Sequence, residues 1–169
     1  MASSAARARI RLGIVGAGKH GSRYAAHAAR DVEGLELAAV CRRDRGQGQA
    51  LADQLGCGYE ADAEALLRRK DIDVVVLATV PRLLPRLVEV AVAEGKRLVV
   101  EKPVAPTLDQ GVALLELLER SGAWCLAGHT LRFNAAVNTL RRELPSLGRI
   151  DSFLFSQRFP PVLDLAWLD

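Results

Sequence analysis

The sequence contains few of the residues that form disulfides, metal sites and aromatic binding platforms. Its 169 residues include only three cysteines, three histidines and 5% aromatic residues. The cysteines have neither paired nor metal-ligand spacing, and neither a CxxC nor an HxxxH pattern occurs. We therefore expect no metal, and reduced thiols in a reducing compartment, so the predicted location is cytoplasmic.

Charge of one sign and long apolar runs are also scarce. A net charge of +3, with arginines scattered along the chain, argues against nucleic acid as a partner. No apolar run approaches the roughly 20 residues of a membrane span, so we expect no membrane partner. The opening MASSAARAR lacks the apolar core of a signal peptide, and residues 1–9 are predicted to form a disordered tail.

The most informative segment is a glycine-rich turn between an apolar run and an alanine-rich stretch. The run over residues 10–15 predicts a strand, and a helix is predicted to follow the G-x-G-x-x-G pattern. Gly16 would form the tight turn, Gly18 would admit a pyrophosphate close to the backbone, and Gly21 would let the helix pack on its strand. The N–H groups at the start of that helix would hold the phosphates. The predicted diphosphate loop comprises Gly16, Ala17, Gly18, Lys19, His20 and Gly21.

Strands and helices alternate along most of the chain. The patterns predict strands at residues 10–15, 35–41, 57–59, 72–79, 97–100 and 124–128, with helices at 20–30, 46–55, 62–69, 83–94 and 107–120. Repeated βα alternation indicates an α/β fold with a doubly wound parallel sheet, a Rossmann domain over residues 10–129. Because the run at 72–79 is almost wholly apolar, we expect that strand to be buried on both faces.

The pattern changes after Gly128. A helix is predicted at residues 134–144, and the alternation at 148–159 predicts an exposed strand that Pro160-Pro161 interrupts. Residues 130–169 therefore indicate the beginning of an incomplete second domain of the α+β type. An incomplete sheet exposes apolar strand surface, so we expect this C-terminal segment to favour a homo-oligomer.

The end of the second predicted strand carries the residues that would select the cofactor. Arg42 lies 21 residues beyond Gly21, where an NAD-preferring site usually places Asp or Glu on the ribose hydroxyls. Guanidinium groups are permanently charged and bind phosphate bidentately, so Arg42 and Arg43 favour NADP(H) over NAD(H) through the 2′-phosphate. In the alternative, both arginines are surface residues and Asp44 reaches the ribose.

Two further polar segments follow predicted strands, at the end where open α/β sheets bind ligands. In EKP, Lys102 could hold a substrate hydroxyl or polarise a carbonyl, with Glu101 in support; the alternative is a solvated pair. In GHTLRFN, His129 could move a proton near neutral pH; the alternative is a structural histidine. His20 is expected to face solvent or the diphosphate rather than to act in acid–base chemistry.

Together, GIVGAGKHG, the strand ending in Ala78-Thr79, the EKP tripeptide and GHTLRFN resemble the N-terminal part of a Gfo/Idh/MocA-type oxidoreductase. EKP, about 80 residues beyond the glycine loop, is the specific element, and the resemblance covers residues 10–150. It implies a nicotinamide-dependent enzyme with a small sugar-like substrate: a sugar, a cyclitol or a related polyol. It also implies that Ala78, Thr79, Glu101 and Lys102 line the cofactor crevice, with Lys102 in the active site.

The sequence departs from this family after the first domain. The family's usual base, a histidine in a D-x-x-x-H motif, is absent after Gly148, and the chain has about half the family's usual length. The resemblance thus implies a chain truncated before its second domain is complete. His129, which the residues offer as a proton carrier, is the candidate to substitute for the missing base. The leading hypothesis is an NADP(H)-dependent dehydrogenase of the sugar type. Its rivals are a non-catalytic NAD(P)-binding module acting as a sensor or partner subunit, and another Rossmann reductase, such as a semialdehyde dehydrogenase, against which EKP argues.

Overall fold

The computed structural model describes residues 9–154 and 156, so residues 1–8 of the predicted tail lie outside the described part. The chain divides into two units, Met1–Gly128 and His129–Asp169. The first unit contains a six-stranded sheet in the order β3-β2-β1-β4-β5-β6, and all of its pairs are parallel. The strands are β1 (Ile10–Val15), β2 (Leu35–Cys41), β3 (Gly58–Glu60), β4 (Val74–Leu77), β5 (Arg97–Val100) and β6 (Cys125–Ala127).

Five helices connect these strands. They are α1 (Gly21–Arg30), α2 (Arg45–Leu55), α3 (Ala63–Arg68), α4 (Leu84–Ala93) and α5 (Leu108–Ser121). Side-chain oxygens of Asp44, Asp62 and Thr107 accept the backbone N–H three residues later and so begin α2, α3 and α5. The predicted strands and helices of this unit are confirmed, with each end within two residues of its prediction. None of the described helices combines the length and apolarity needed to cross a membrane.

The core consists of two apolar clusters, one on each face of the sheet. Val75 and Leu77 of β4 belong to the cluster that contains Leu84 of α4. Val76 belongs to the other cluster, with Ala25 of α1. Because successive residues of a strand point to opposite faces, β4 is covered by helices on both sides, as its apolar sequence predicts.

The strand order reverses at β1, and this reversal positions the site. β1 pairs with β2 on one side and with β4 on the other. The last residues of four strands, Cys41, Val15, Leu77 and Val100, lie in register across the sheet. In doubly wound sheets the ligand crevice lies outside the carboxyl ends of the strands at such a reversal.

A charged network centred on Asp71 lies at the other end of the strands, where β1 and β4 begin. Its carboxylate accepts hydrogen bonds from Arg69 Nη2 at 2.8 Å and from Arg11 Nη2 at 2.9 Å. The hydrogen bond from Arg69, and then that from Arg11, lower the pKa of Asp71 well below its ordinary value against the opposing effect of burial. The carboxylate form therefore stabilises the folded state.

Asp71→Asn is expected to lower the free energy of unfolding in a pH-dependent way. A carboxylate with a lowered folded pKa stabilises the fold above its unfolded pKa of about 3.9, and this contribution is lost as the pH falls through and below that value. Since Asp71 is 42% exposed, water screens the pair and the expected loss at neutral pH is about 0.5–1 kcal/mol. Urea unfolding at neutral pH and at about pH 3 measures whether the difference between the two proteins closes on acidification.

The control for Asp71→Asn is Glu33→Gln, which removes an exposed carboxylate from the turn before β2. It should leave the pH dependence of unfolding unchanged. A difference between wild type and Asp71→Asn that stays constant down to low pH would contradict the network's role.

The described part of the second unit contains a 3-10 turn at Thr130–Phe133, α6 (Ala135–Glu143) and a second 3-10 turn at Leu144–Leu147. α6, capped by Asn134, confirms the helix predicted at 134–144. The strand predicted at 148–159 is wrong for residues 148–154, which form no strand, and its residues 155 and 157–159 lie outside the described part. The reason is that a strand needs a hydrogen-bonded neighbour, and none pairs with these residues in the described part, where Phe153 is 63% and Leu154 92% exposed.

Candidate functional site

The turn between β1 and α1 is closed by backbone hydrogen bonds. The N–H groups of Gly16 and Ala17 both donate to the Cys41 carbonyl, at 3.0 and 2.9 Å. Gly16 has a φ of +89°, and a Cβ there would lie 2.4 Å from the carbonyl oxygen of Ala78. Neither this conformation nor this space accepts a side chain, so the position requires glycine.

Gly16→Ala is expected to lower the free energy of unfolding by about 2–4 kcal/mol, because a positive φ and a clash with backbone add together. Denaturant unfolding measures the loss. The control is Gly34→Ala, which shares a positive φ of +82° but has no atom within 4 Å of the added Cβ. Gly34→Ala thus isolates the conformational part, and equal losses in the two variants would show that the contact with Ala78 is unimportant.

The other two glycines of the loop have different surroundings. A Cβ at Gly21 would lie 2.2 Å from the carbonyl oxygen of Gly16, so the absence of a side chain lets α1 start directly against the turn. A Cβ at Gly18 would meet no atom within 4 Å. Lys19 beside it is exposed. The loop therefore leaves open space over Gly18, next to a cation and a helix N-terminus, and this arrangement fits a dinucleotide diphosphate.

Arg42, at the end of β2, lies against this loop. Its Nη1 donates to the Ala17 carbonyl at 3.1 Å, and its Nη2 donates to Gln47 Oε1. The hydroxyl of Tyr59 donates to the Arg42 carbonyl at 2.9 Å and fixes the backbone at this point. Arg43 is exposed. A fixed guanidinium therefore stands beside the glycine loop.

Asp44, the alternative ribose ligand, is engaged as the N-cap of α2. Its Oδ1 accepts the Gln47 backbone N–H at 2.9 Å, and its Oδ2 accepts Gln47 Nε2 at 2.8 Å. Oδ1 therefore caps the helix, and Oδ2 holds the Gln47 side chain.

Ala78 and Thr79 follow β4 on the other side of the glycine loop. The Ala78 N–H donates to the Val15 carbonyl at 2.8 Å. Both residues are half-buried, and the Thr79 nitrogen would lie 2.9 Å from a Cβ at Gly16. The structure thus brings the ends of β1 and β4 together, as expected from sequence.

Glu101 is a buried carboxylate at the end of β5, only 7% exposed. Its Oε1 accepts from His20 Nε2 at 3.0 Å and from the Tyr24 hydroxyl, and its Oε2 accepts from the Lys102 backbone N–H at 3.1 Å. His20, although its side chain is 54% exposed, therefore does not only face solvent. Sequence reasoning missed Tyr24, for which the available signal was its place one helical turn after His20.

The hydrogen bonds decide the charge of this group. Burial alone would raise the pKa of Glu101, but hydrogen bonds from Tyr24 and His20 outweigh it, and the pKa is lowered. Burial, followed by the hydrogen bond to Glu101, raises the pKa of Tyr24 to about 12. At neutral pH Glu101 is thus an anion that accepts hydrogen bonds, and Tyr24 is a neutral donor.

The two predicted catalytic residues lie in different units. Lys102 is exposed directly after Glu101, and its peptide bond to Pro103 is cis. The hydrogen bond from Lys102 to Glu101 is made by its backbone N–H rather than by its ammonium group. His129 is the exposed first residue of the second unit, and its carbonyl accepts the Arg132 N–H at 2.9 Å. Within residues 9–154 and 156, no three His, Cys, Asp or Glu residues cluster as a metal site would require.

Residues 10–129, from β1 to just beyond β6, match the Gfo/Idh/MocA family, which is described as an oxidoreductase family with an NAD-binding Rossmann fold. The chain belongs to this family. The resemblance drawn from its motifs is confirmed, and so is the doubly wound fold. The family description includes NAD binding, which agrees with the dinucleotide-binding pattern of the glycine loop.

Named relatives of this Gfo/Idh/MocA chain include dehydrogenases of inositols. Inositol 2-dehydrogenase 4 of Saccharopolyspora erythraea is 32% identical over 144 residues, covering 83% of this chain and 43% of the relative. Scyllo-inositol 2-dehydrogenase (NAD(+)) of Bacillus subtilis is 26% identical over 152 residues, covering 89% of this chain and 44% of the relative. The chain therefore spans less than half the length of these relatives.

One solved structure with the same fold contains NADP+ instead of NAD. The crystal structure of biliverdin reductase from Synechocystis, in complex with biliverdin and NADP+, superposes with a TM-score of 0.71 at 27% identity. It covers 83% of this chain, which in turn covers 44% of that chain. Proteins similar to this one thus include both NAD- and NADP-binding members.

Proposed function

We propose that this chain is the cofactor-binding part of an NADP(H)-dependent dehydrogenase acting on a sugar, a cyclitol or a related polyol. The inositol dehydrogenases among its relatives support the substrate class. The observation that carries the cofactor preference is the Arg42 guanidinium held against the glycine loop through the Ala17 carbonyl.

Charge and geometry at the end of β2 support a 2′-phosphate there. A guanidinium has five N–H donors, so Arg42 keeps free donors after bonding Ala17 and Gln47. Arg43 adds a second exposed cation. A carboxylate that accepted ribose hydroxyls would favour NAD(H), and Asp44 is held by Gln47 at the start of α2 with one hydrogen bond on each oxygen. The two guanidinium charges at the end of β2 favour NADP(H).

The remaining residues would place the rest of the cofactor and the substrate. When bound, the nicotinamide supplies the hydride chemistry, and the protein supplies orientation and electrostatics. Gly18 would hold the diphosphate, and Ala78 and Thr79 would line the crevice. We propose that the Lys102 ammonium holds the substrate's hydroxyl or carbonyl oxygen and stabilises negative charge that develops on it. His129 is the proposed proton acceptor.

The cofactor proposal is tested by titrating the 169-residue protein with NADPH and with NADH. The two differ only in the 2′-phosphate, so contacts by charged donors should make NADPH bind at least about tenfold more tightly. Competition by 2′,5′-ADP and by 5′-AMP provides the same comparison without the nicotinamide. Equal affinities, or tighter binding of NADH, would overturn the NADP(H) preference and return the ribose to Asp44.

The catalytic proposal is tested by following reduced nicotinamide during incubation with NADP+ and a panel of sugars, cyclitols and polyols. Turnover that falls by about 10²–10⁴ in His129→Ala supports His129 as the base, since a positioned base contributes that much. Equal turnover in wild type and His129→Ala removes that role. Tight NADPH binding without turnover of any polyol would instead support the non-catalytic module.

We also propose a cytoplasmic location and a homo-oligomer formed through the C-terminal segment. Free thiols at Cys41, Cys57 and Cys125 support a reducing compartment. Exposed Phe153 and Leu154 support an interface. Light scattering of the purified chain tests the second point, and a monomer at all accessible concentrations would refute it.

A further inference from the structure

We propose that Glu101, held by His20 and Tyr24, is a positioning residue that ties the glycine loop to the Lys102 backbone. This inference rests on the proposed function, because it assigns the tie to the orientation of Lys102 beside the cofactor. His20 and Tyr24 thereby join the residues on which the geometry of the site depends.

One carboxylate connects three segments of the chain. His20 ends the glycine loop, Tyr24 lies one turn further along α1, and Lys102 follows β5. All three donate to Glu101, with His20 and Tyr24 on Oε1 and the Lys102 N–H on Oε2. A movement of the Lys102 backbone away from the loop therefore breaks a hydrogen bond to a group that α1 holds in place.

The Glu101 carboxylate cannot readily turn away from its donors. A Cβ at Gly128 would lie 2.9 Å from Glu101 Oε1 and 3.1 Å from its Cδ. The Gly128 N–H donates to the Val100 carbonyl at 2.8 Å, which fixes this backbone beside the carboxylate. The Glu101 N–H is likewise bound to the Leu77 carbonyl at 2.9 Å. The carboxylate thus fills a space that a glycine leaves for it, between backbone on one side and its two side-chain donors on the other.

The charge of Glu101 is balanced by hydrogen-bond donors rather than by the Lys102 ammonium group. An anion that is mostly buried needs donors, and here a phenol and an imidazole supply them while the cation of Lys102 stays exposed. The Lys102 ammonium is therefore not consumed in a salt bridge with its neighbour and remains available to a substrate oxygen. Glu101 acts on Lys102 through the backbone and not through its charge alone.

The experiment measures hydrogen exchange of the Lys102 backbone N–H by NMR, in wild type and in Tyr24→Phe, together with the Kd for NADPH. Tyr24→Phe removes one hydroxyl and keeps the ring. We expect Lys102 N–H exchange about tenfold faster, since a hydrogen bond to a charged group is lost nearby, and NADPH binding about three- to tenfold weaker. The melting temperature should fall by about 3–10 °C, as expected for the loss of one hydrogen bond to a mostly buried carboxylate.

Two matched controls separate the tie from general loosening. Tyr59→Phe removes another half-buried tyrosine hydroxyl, whose partner is the Arg42 carbonyl, and should leave Lys102 exchange unchanged. His20→Asn should accelerate Lys102 exchange, whereas His27→Asn, which lies within α1 and is paired with Asp31, should not. Glu101→Gln keeps the shape and removes the charge, and it should accelerate Lys102 exchange as well.

The outcomes distinguish this inference from the proposed function. If Lys102 exchange in Tyr24→Phe and His20→Asn equals that of wild type, the positioning role is wrong, whatever the cofactor affinity. If exchange responds but wild type binds neither NADPH nor NADH, the tie is supported and the proposed function fails. Exchange that accelerates by the same factor at every amide, with no larger effect at Lys102, would show a merely structural role and overturn the proposal.

Discussion

Gly18→Ala is expected to weaken NADPH and NADH binding by about 10- to 100-fold while leaving the fold as stable as wild type. Its φ is not positive, and the added methyl would meet no protein atom within 4 Å, so the folded chain accepts it. The same methyl would occupy the space through which the loop backbone would approach the proposed diphosphate. Overpacking by one methyl costs about 1–3 kcal/mol, which gives the expected range of affinity loss.

Titration with both dinucleotides and thermal unfolding of the same samples check this result. The matched control is Gly46→Ala in the first turn of α2, where the nearest atom to the added Cβ is Asp44 Oδ1 at an ordinary 3.6 Å. Gly46→Ala should bind like wild type and gain slightly in stability, because alanine favours a helix. Wild-type affinity in Gly18→Ala would mean that the diphosphate does not approach at this glycine.

Comparison with Gly16→Ala separates two functions within one motif. The fold needs glycine at position 16, since its φ is positive and a Cβ there would lie 2.4 Å from the carbonyl oxygen of Ala78. Gly18 has neither constraint, so the proposed diphosphate is the reason that we assign to the absence of a side chain there. A G-x-G-x-x-G pattern in sequence cannot make this distinction, because it does not show which glycine faces protein and which faces open space.

The sequence predicts the sheet well because each strand is a local apolar run bounded by turns and capped helices. The strand 35–41 and its neighbours follow directly from such patterns. Periodicity is a poor predictor where strand formation depends on a partner strand. Residues 148–154 alternate as a strand does, but no described residues pair with them. Local pattern alone does not supply the partner that a strand requires.

In the candidate site, too, some residues could be predicted from the sequence and some contacts could not. Arg42, Glu101 and Lys102 could be predicted because each follows a strand, and the carboxyl ends of parallel strands meet at one edge. The tie between Glu101 and Tyr24 could not be predicted, since it joins residues 77 apart through the packing of α1. The role of Gly128 was equally hidden, because it depends on where a carboxylate of another strand is placed.

Arg42→Ala is expected to raise the Kd for NADPH by about 10- to 100-fold and that for NADH by much less. A hydrogen bond to a charged group contributes about 1.5–3 kcal/mol, and each 1.4 kcal/mol is a factor of ten. The guanidinium lies beside the glycine loop, where a 2′-phosphate would meet it, whereas NADH has no such group. Loss of the bond to the Ala17 carbonyl affects both dinucleotides alike, so the ratio of the two Kd values isolates the phosphate contact.

The control for this ratio is Arg30→Ala, which removes the same charge from the last turn of α1, at the end of the helix away from the glycine loop. It should change neither Kd by more than about twofold at moderate salt, because exposed charges more than about 10 Å apart are screened. Arg43→Ala should lower the ratio by a smaller factor, since Arg43 is exposed and its side chain must be ordered on binding. If Arg42→Ala weakens NADPH and NADH equally, Arg42 only supports the loop, and the cofactor preference must come from elsewhere in the site.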